Sequence, residues 1–132
     1  MTAMPVSPQK TIDFDRIDAV LTMSLPAVVD ELSSTLGSMT TAYIGNVSHT
    51  KFVRAWKNGV RPPRGIREQA LRSALQATRV ITSVYDANVA NAWMFGANRL
   101  LGIEAPAYRL QTAKTPEDLT KVVRASWSFI TT

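Results

Sequence analysis

Between the paired prolines at 62–63 and Asp86, apolar side chains recur at Ile66, Ala70, Ala74, Ala77, Ile81 and Val84. Steps of three and four residues bring all six onto one stripe of an α-helix, whereas a strand would scatter them over both faces. The spacing predicts the longest helix of the chain, over about 64–86. A helix with such a stripe needs other apolar faces to cover it.

The flanking segments supply them. "DFDRIDAVLTM" (13–23) spaces Phe14, Ile17, Val20 and Leu21 at helical intervals. Ser24-Leu25-Pro26 has the form of a helix start, with Val28, Val29, Leu32 and Leu36 as its apolar face and Gly37 as its end. From 38 to 59 the elements shorten: "SMTTAYIGN", a break near Asn46, then "VSHTKFVRAWKNG". Two short helices across a tight turn is the helix-turn-helix plan. "VRPPR" ends it, because paired prolines cannot continue a helix. A further helix is expected over 88–95, and "TPEDLTKVVRASWSFI" opens a last one with Thr115 as cap, Pro116 in the first turn and Asp118 three residues on. Only "AYRLQT" (107–112) alternates as a strand would. The expected fold is all-α: an N-terminal arm (1–24), flexible or partly helical, a helix-turn-helix module (25–63), and a helical module (64–132).

Composition narrows the function. There is no cysteine, so disulfides, thiolate catalysis and thiolate metal sites are excluded. The single histidine, His49, has no carboxylate or second ligand near it in sequence, and neither a metal site nor a general base is expected. "NGVRPPRG" lacks the spacing and the preceding strand of a phosphate loop. The acids at 13, 15 and 18 lack the glycine and distal glutamate of a calcium loop. No apolar run reaches the roughly 18 residues of a membrane span, and the polar "MTAMPVSPQKT" has no signal-peptide core. The expectation is a cytoplasmic, non-enzymatic protein with no cofactor.

Charge is placed unevenly. Residues 49–80 hold eight bases against one acid, Glu68, while residues 1–48 hold five acids against two bases. A concentrated positive stretch is the electrostatic footprint of a nucleic-acid binder, although such blocks also occur as solvated faces. It begins at the predicted second helix of the pair. Placing Ala42 against that helix puts Asn46, which tolerates the left-handed conformation, in the turn. This register turns Val47, Phe52 and Ala55 inward and Ser48, His49, Thr50, Val53, Arg54 and Lys57 outward. Arg54, Lys57, Arg61 and Arg64 are then candidates for phosphate contact, with Lys51 beside them and His49 and Thr50 near base edges. Thr41 and Gly45 stand where the motif usually has apolar bulk. The acidic arm either folds back on the basic 64–79 stretch or remains a solvated leader.

Aromatic residues gather in the back half. Trp93, Met94 and Phe95 close the 88–95 helix, and Trp127, Phe129 and Ile130 lie in the last six residues. Such clusters serve either the core or a partner, and periodicity alone does not choose between them.

"ANAWMFGANRLLGIEAP" (90–106) resembles the signature of the Xre/MbcA/ParS-type antitoxins, partners of RES-domain toxins. The matching residues are Trp93, Met94, Asn98, Leu101, Gly102 and Pro106. Upstream, "FVRAWKNGVRPP" (52–63) is similar to the family's helix-turn-helix segment at Val53, Trp56, Gly59 and Pro62. The connection before Val53 is shorter than the family pattern, and residues 1–24 have no counterpart in it. The resemblance implies an antitoxin whose N-terminal module binds operator double-stranded DNA and represses its own operon. Its C-terminal module would cover the active-site cleft of a RES-domain, NAD-consuming toxin, as a hetero-oligomer with the toxin or a homo-oligomer. It places Asn98 and Arg99 near the toxin-facing surface, with Trp93 and the terminal Trp127, Phe129 and Ile130; Asn98 equally suits a cap on the "RLLG" turn. Two rivals stand beside this reading: a free-standing helix-turn-helix regulator, and an adaptor that docks another enzyme without touching DNA.

Overall fold

The computed structural model describes residues 12–132, which are all-helical with no strand among them. Eight α-helices follow one another: α1 (Phe14–Asp18), α2 (Leu25–Leu36), α3 (Ser38–Ile44), α4 (Thr50–Lys57), α5 (Ile66–Thr82), α6 (Ala87–Phe95), α7 (Pro106–Thr112) and α8 (Pro116–Thr131). Short 3-10 turns at Ala19–Leu21 and Arg99–Leu101 extend α1 and follow α6.

The helix boundaries have local causes. Ser24 Oγ accepts the Ala27 N–H at the start of α2, and Gly37, with φ 93°, ends it. Thr115 and Asp118 form the reciprocal box expected at the start of α8, each side chain accepting the other's backbone N–H. α5 is shorter at both ends than the apolar spacing predicts. Gly65 sits at φ 60°, outside helical space, and at the far end Ser83 Oγ donates to the Val80 carbonyl as the chain leaves the helix. The alternating "AYRLQT" is helical: Pro106 opens α7, and Ala107 and Leu110, three apart, are the pair it buries.

α5 is the axis around which most of the others pack, while α4 packs on α2 and α3. The buried set of α5 includes Leu71, Leu75 and Val80 as well as Ala70, Ala74, Ala77 and Ile81, so the buried face is wider than the single predicted stripe. α8 lies along one side of it, α2 and α3 on another, and α6 and α7 close the rest. Alanines at 70, 74 and 77 let these neighbours approach closely. One cluster of buried side chains runs from Val20 through Trp56 and Trp93 to Ala125, so the short helix pair and the C-terminal helices share a core.

Residues 12–24 fold back on α5, the first of the two alternatives, but not through their acids. Asp13, Asp15 and Asp18 make no ion pair among the described residues, and the arginines of α5 take backbone carbonyls of the arm instead. Ile17 and Val20 are buried. Arg72 Nη1 donates to the carbonyls of Val20 (2.9 Å) and Met23 (2.8 Å). Arg79 donates to the Arg16 carbonyl and grips Glu31 through Nε (2.8 Å) and Nη2 (2.5 Å), and Arg16 reaches the same carboxylate at 3.2 Å. Phe14 stacks on Trp127 with centroids 5.4 Å apart. The flexible-arm expectation for residues 1–11 lies outside the described residues.

Candidate functional site

Two surfaces hold the residues singled out by the sequence. The first is α4 with the loop that follows it. α3 and α4 are joined by 45–49, with Asn46 at φ 60° in the turn and Ala42 buried beneath it, both as expected. His49 caps α4: its Nδ1 accepts the Lys51 N–H at 3.0 Å, which leaves Nε2 as the outward nitrogen.

The phase of α4 differs from the expected register. Val53 and Trp56 are the buried residues, while Phe52 is 39% exposed and Ala55 is half-buried. Val53 therefore does not face outward, nor does Phe52 face inward. The cause is Trp56, whose ring fills the space beside Gly45. A Cβ built on Gly45 would lie 2.7 Å from Trp56 Cη2 and Cζ3. The tryptophan supplies the bulk that Thr41 and Gly45 lack. With Val53 and Trp56 inward, 100° per residue puts Lys51, Arg54, Ala55 and Asn58 along the outermost line. Thr50 and Lys57 flank it on one side and Phe52 on the other.

The structure also sorts the basic stretch. Arg72 and Arg79 hold the arm. Arg67 donates to three backbone carbonyls, Ile44 (3.2 Å), Gln111 (2.7 Å) and Ala113 (2.9 Å), and so ties the ends of α3 and α7 together. Burial lowers the Arg67 pKa below its ordinary value. Cations at helix C-termini interact favourably with the helix dipole. The remaining five, Lys51, Arg54, Lys57, Arg61 and Arg64, make no ion pair among the described residues. All five lie on α4 or the loop after it. The solvated excess of charge is thus narrower than the linear count, and it coincides with the candidate DNA-facing set.

The second surface is a recess between the loop after α6 and the end of α8. Trp93, Ala97, Asn98, Arg99, Leu100, Ala125, Ser128, Phe129 and Thr132 line it. Trp93 is buried at its floor and Phe129, 38% exposed, leans on it at 6.4 Å and on Tyr85 at 5.4 Å. Asn98 caps the 3-10 turn, its Oδ1 accepting the Leu100 N–H at 3.0 Å. Arg109 braces the same turn through the Leu101 carbonyl (3.0 Å) and Glu104 (3.3 Å). Gly102 and Ile103 are consecutive left-handed residues, at φ 67° and 72°. A β-branched residue rarely adopts that conformation, and it is held here with its side chain in solvent. Leu100 is 63% exposed on the rim, beside the exposed Arg99.

Trp93, Asn98, Arg99 and Phe129 therefore meet in one place. Trp127 does not join them. It lines a groove on another side of α8, with Leu21, Arg72 and Val123, beneath the stacked Phe14. Ile130 is half-buried against the core. Sequence reasoning missed Asn58 and Ala55 on the outer line of α4, and Leu100 on the rim of the recess. The phase of a short helix hid the first pair. A single exposed leucine carries no periodic signal that would flag the last.

No helix among the described residues is long and apolar enough to cross a membrane, and no group of three His, Asp or Glu is placed to hold a metal ion. No protein-family model, curated protein or solved structure matches the chain.

Proposed function

We propose that the chain is a cytoplasmic, non-enzymatic antitoxin that binds a RES-domain, NAD-consuming toxin, occludes its active site and represses its own operon through α4. The recess of Trp93, Asn98, Arg99 and Phe129 carries this reading. Four residues that the resemblance assigns to the toxin-facing side, drawn from two segments of the sequence, line a single surface with an apolar rim. Trp93 supports the floor, while Leu100, Arg99 and Phe129 offer an exposed apolar and cationic contact. Holding a toxin shut requires a stable interface, of order 1,600 Å². The recess is its centre, with the tip of α8 and the turn after α6 around it.

The test is co-expression of the full chain with a RES-domain toxin, followed by size-exclusion chromatography and measurement of cellular NAD. Expected are a stable co-eluting complex and preserved NAD; separate elution with depleted NAD would discard the antitoxin reading. A second reading, a free-standing DNA-binding regulator, draws on the five cations of α4 and its loop. Salt-sensitive duplex binding together with indifference to the toxin would select it.

A further inference from the structure

The loop after α4 has features that its neighbours do not explain. Gly59 and Val60 donate back to the carbonyls of Trp56 (3.0 Å) and Ala55 (2.9 Å), which pins the loop to the end of the helix. Arg61 then adopts φ 47°, an uncommon conformation for a residue with a side chain, and Pro62 and Pro63 fix the next two φ angles. Gly65, at φ 60°, releases the chain into α5. The loop is thus constrained from both ends and along its length. Arg61 is exposed and shares a shallow recess with Lys51, Phe52, Ala55, Trp56 and Val60. Its place is beside the outer line of α4, and no carboxylate engages it among the described residues.

Resting on the reading of α4 as a DNA-binding helix, we infer that Arg61 enters the minor groove flanking the α4 site and selects A·T base pairs there. α4, at 1.5 Å per residue, is about 12 Å long, close to the width of the major groove it would occupy. Arg61 lies along the side of α4, in one recess with Lys51 and Ala55 of its outer line, so a helix laid in the groove by that line brings Arg61 to the sugar–phosphate wall and the adjoining minor groove. A narrow A·T minor groove concentrates negative potential and attracts arginine in particular. An arginine on a pinned, proline-stiffened turn loses little conformational freedom on insertion. Exposed Phe52 and Val60 stand beside Arg61 in the same recess and offer apolar contact to the sugars of the groove wall. Arg64, after both prolines, is assigned to phosphate.

The test uses the full chain and the duplex it enriches from a random-sequence pool. The flank is rebuilt as A·T, G·C or I·C pairs; I·C keeps the minor-groove pattern of A·T while changing the major-groove pattern. Wild type is expected to bind the A·T and I·C flanks equally and the G·C flank about tenfold more weakly, as one unfavourable pair commonly costs. Arg61→Ala should equalise the three flanks, Arg61→Lys should keep the salt dependence but lose most of the preference, and Arg64→Ala should weaken all three alike. Equal binding of wild type to all flanks, or an Arg61→Ala loss that ignores the flank, overturns the minor-groove assignment and leaves α4 as a DNA reader. Failure to enrich any duplex overturns both.

Discussion

At the scale of single residues, three positions carry more than their residue types suggest. Gly45 has an ordinary φ of −74°, so its glycine is required by space rather than by backbone conformation. Gly45→Ala should cost about 1–3 kcal/mol through the contact with Trp56. Trp56→Phe in the same chain should recover part of that loss, a coupling that urea denaturation of the two single and the double variants would measure. Arg67 is the second: Arg67→Ala leaves three carbonyls without their donor, and a loss of about 2 kcal/mol is expected in the same assay. Glu31 is the third, and it makes the arm pH-sensitive. Its hydrogen bonds from Arg79 hold its pKa below the ordinary 4.5, outweighing burial, with the charges of Arg79 and Arg16 assisting. A carboxylate with a depressed folded-state pKa contributes stability that is complete above its unfolded pKa and is lost as pH falls through the folded one. The advantage of wild type over Glu31→Gln in thermal denaturation should therefore be constant at neutral pH and shrink only below about pH 4.5. An advantage that shrinks instead as pH rises would contradict the charge pairing.

At the scale of elements, the long and capped helices are readable in place and in face, whereas of the short ones α3, α4 and α6 are readable in place only, and α7 alternates as a strand would. α5 and α8 announce themselves, one by many apolar steps and the other by Thr115, Pro116 and Asp118, because each signal repeats or is chemically specific. α4 has eight residues, little more than two turns, and both Phe52 with Ala55 and Val53 with Trp56 fit an inward pair three apart. What chooses between them is Gly45, across the turn, whose missing side chain admits Trp56 but would leave a void beside Phe52. That information is spatial. The arginines mislead in the same manner: Arg67, Arg72 and Arg79 add to a linear charge count, yet their partners lie far along the chain at Gln111, Val20 and Glu31. Of the candidate sites, the basic set on α4 and its loop survives this sorting intact, whereas the C-terminal aromatic set divides, because residues 127 and 129 lie about 200° apart around a helix. Reversing Arg54 and Lys57 to glutamate should remove duplex binding and its steep salt dependence while leaving the helix content unchanged. Circular dichroism alongside a binding titration at two salt concentrations checks both parts.

At the scale of the whole molecule, α4 with its loop and the recess share no lining residue on their common scaffold, so they should be separable by substitution. Leu100 stands on the rim, mostly in solvent, and touches little of its own core. Leu100→Glu should leave the melting temperature within a degree or two, since exposed substitutions seldom move stability by more than about 0.5 kcal/mol. It should nevertheless abolish inhibition of the toxin, by setting a charge in the centre of a dry interface. Trp127→Ala should do the reverse. It removes the surface on which Phe14 stacks, loosens the arm and lowers the melting temperature by several degrees, yet inhibition should persist wherever the chain remains folded. The Arg54→Glu, Lys57→Glu pair should be a third class, binding toxin and ignoring DNA. If Leu100→Glu inhibits as well as wild type while Trp127→Ala does not, the toxin is met by the α5–α8 groove and the turn after α6 is only a brace for Trp93. If Leu100→Glu loses DNA binding as well, the two faces are coupled through the core they share, and repression would respond to toxin occupancy.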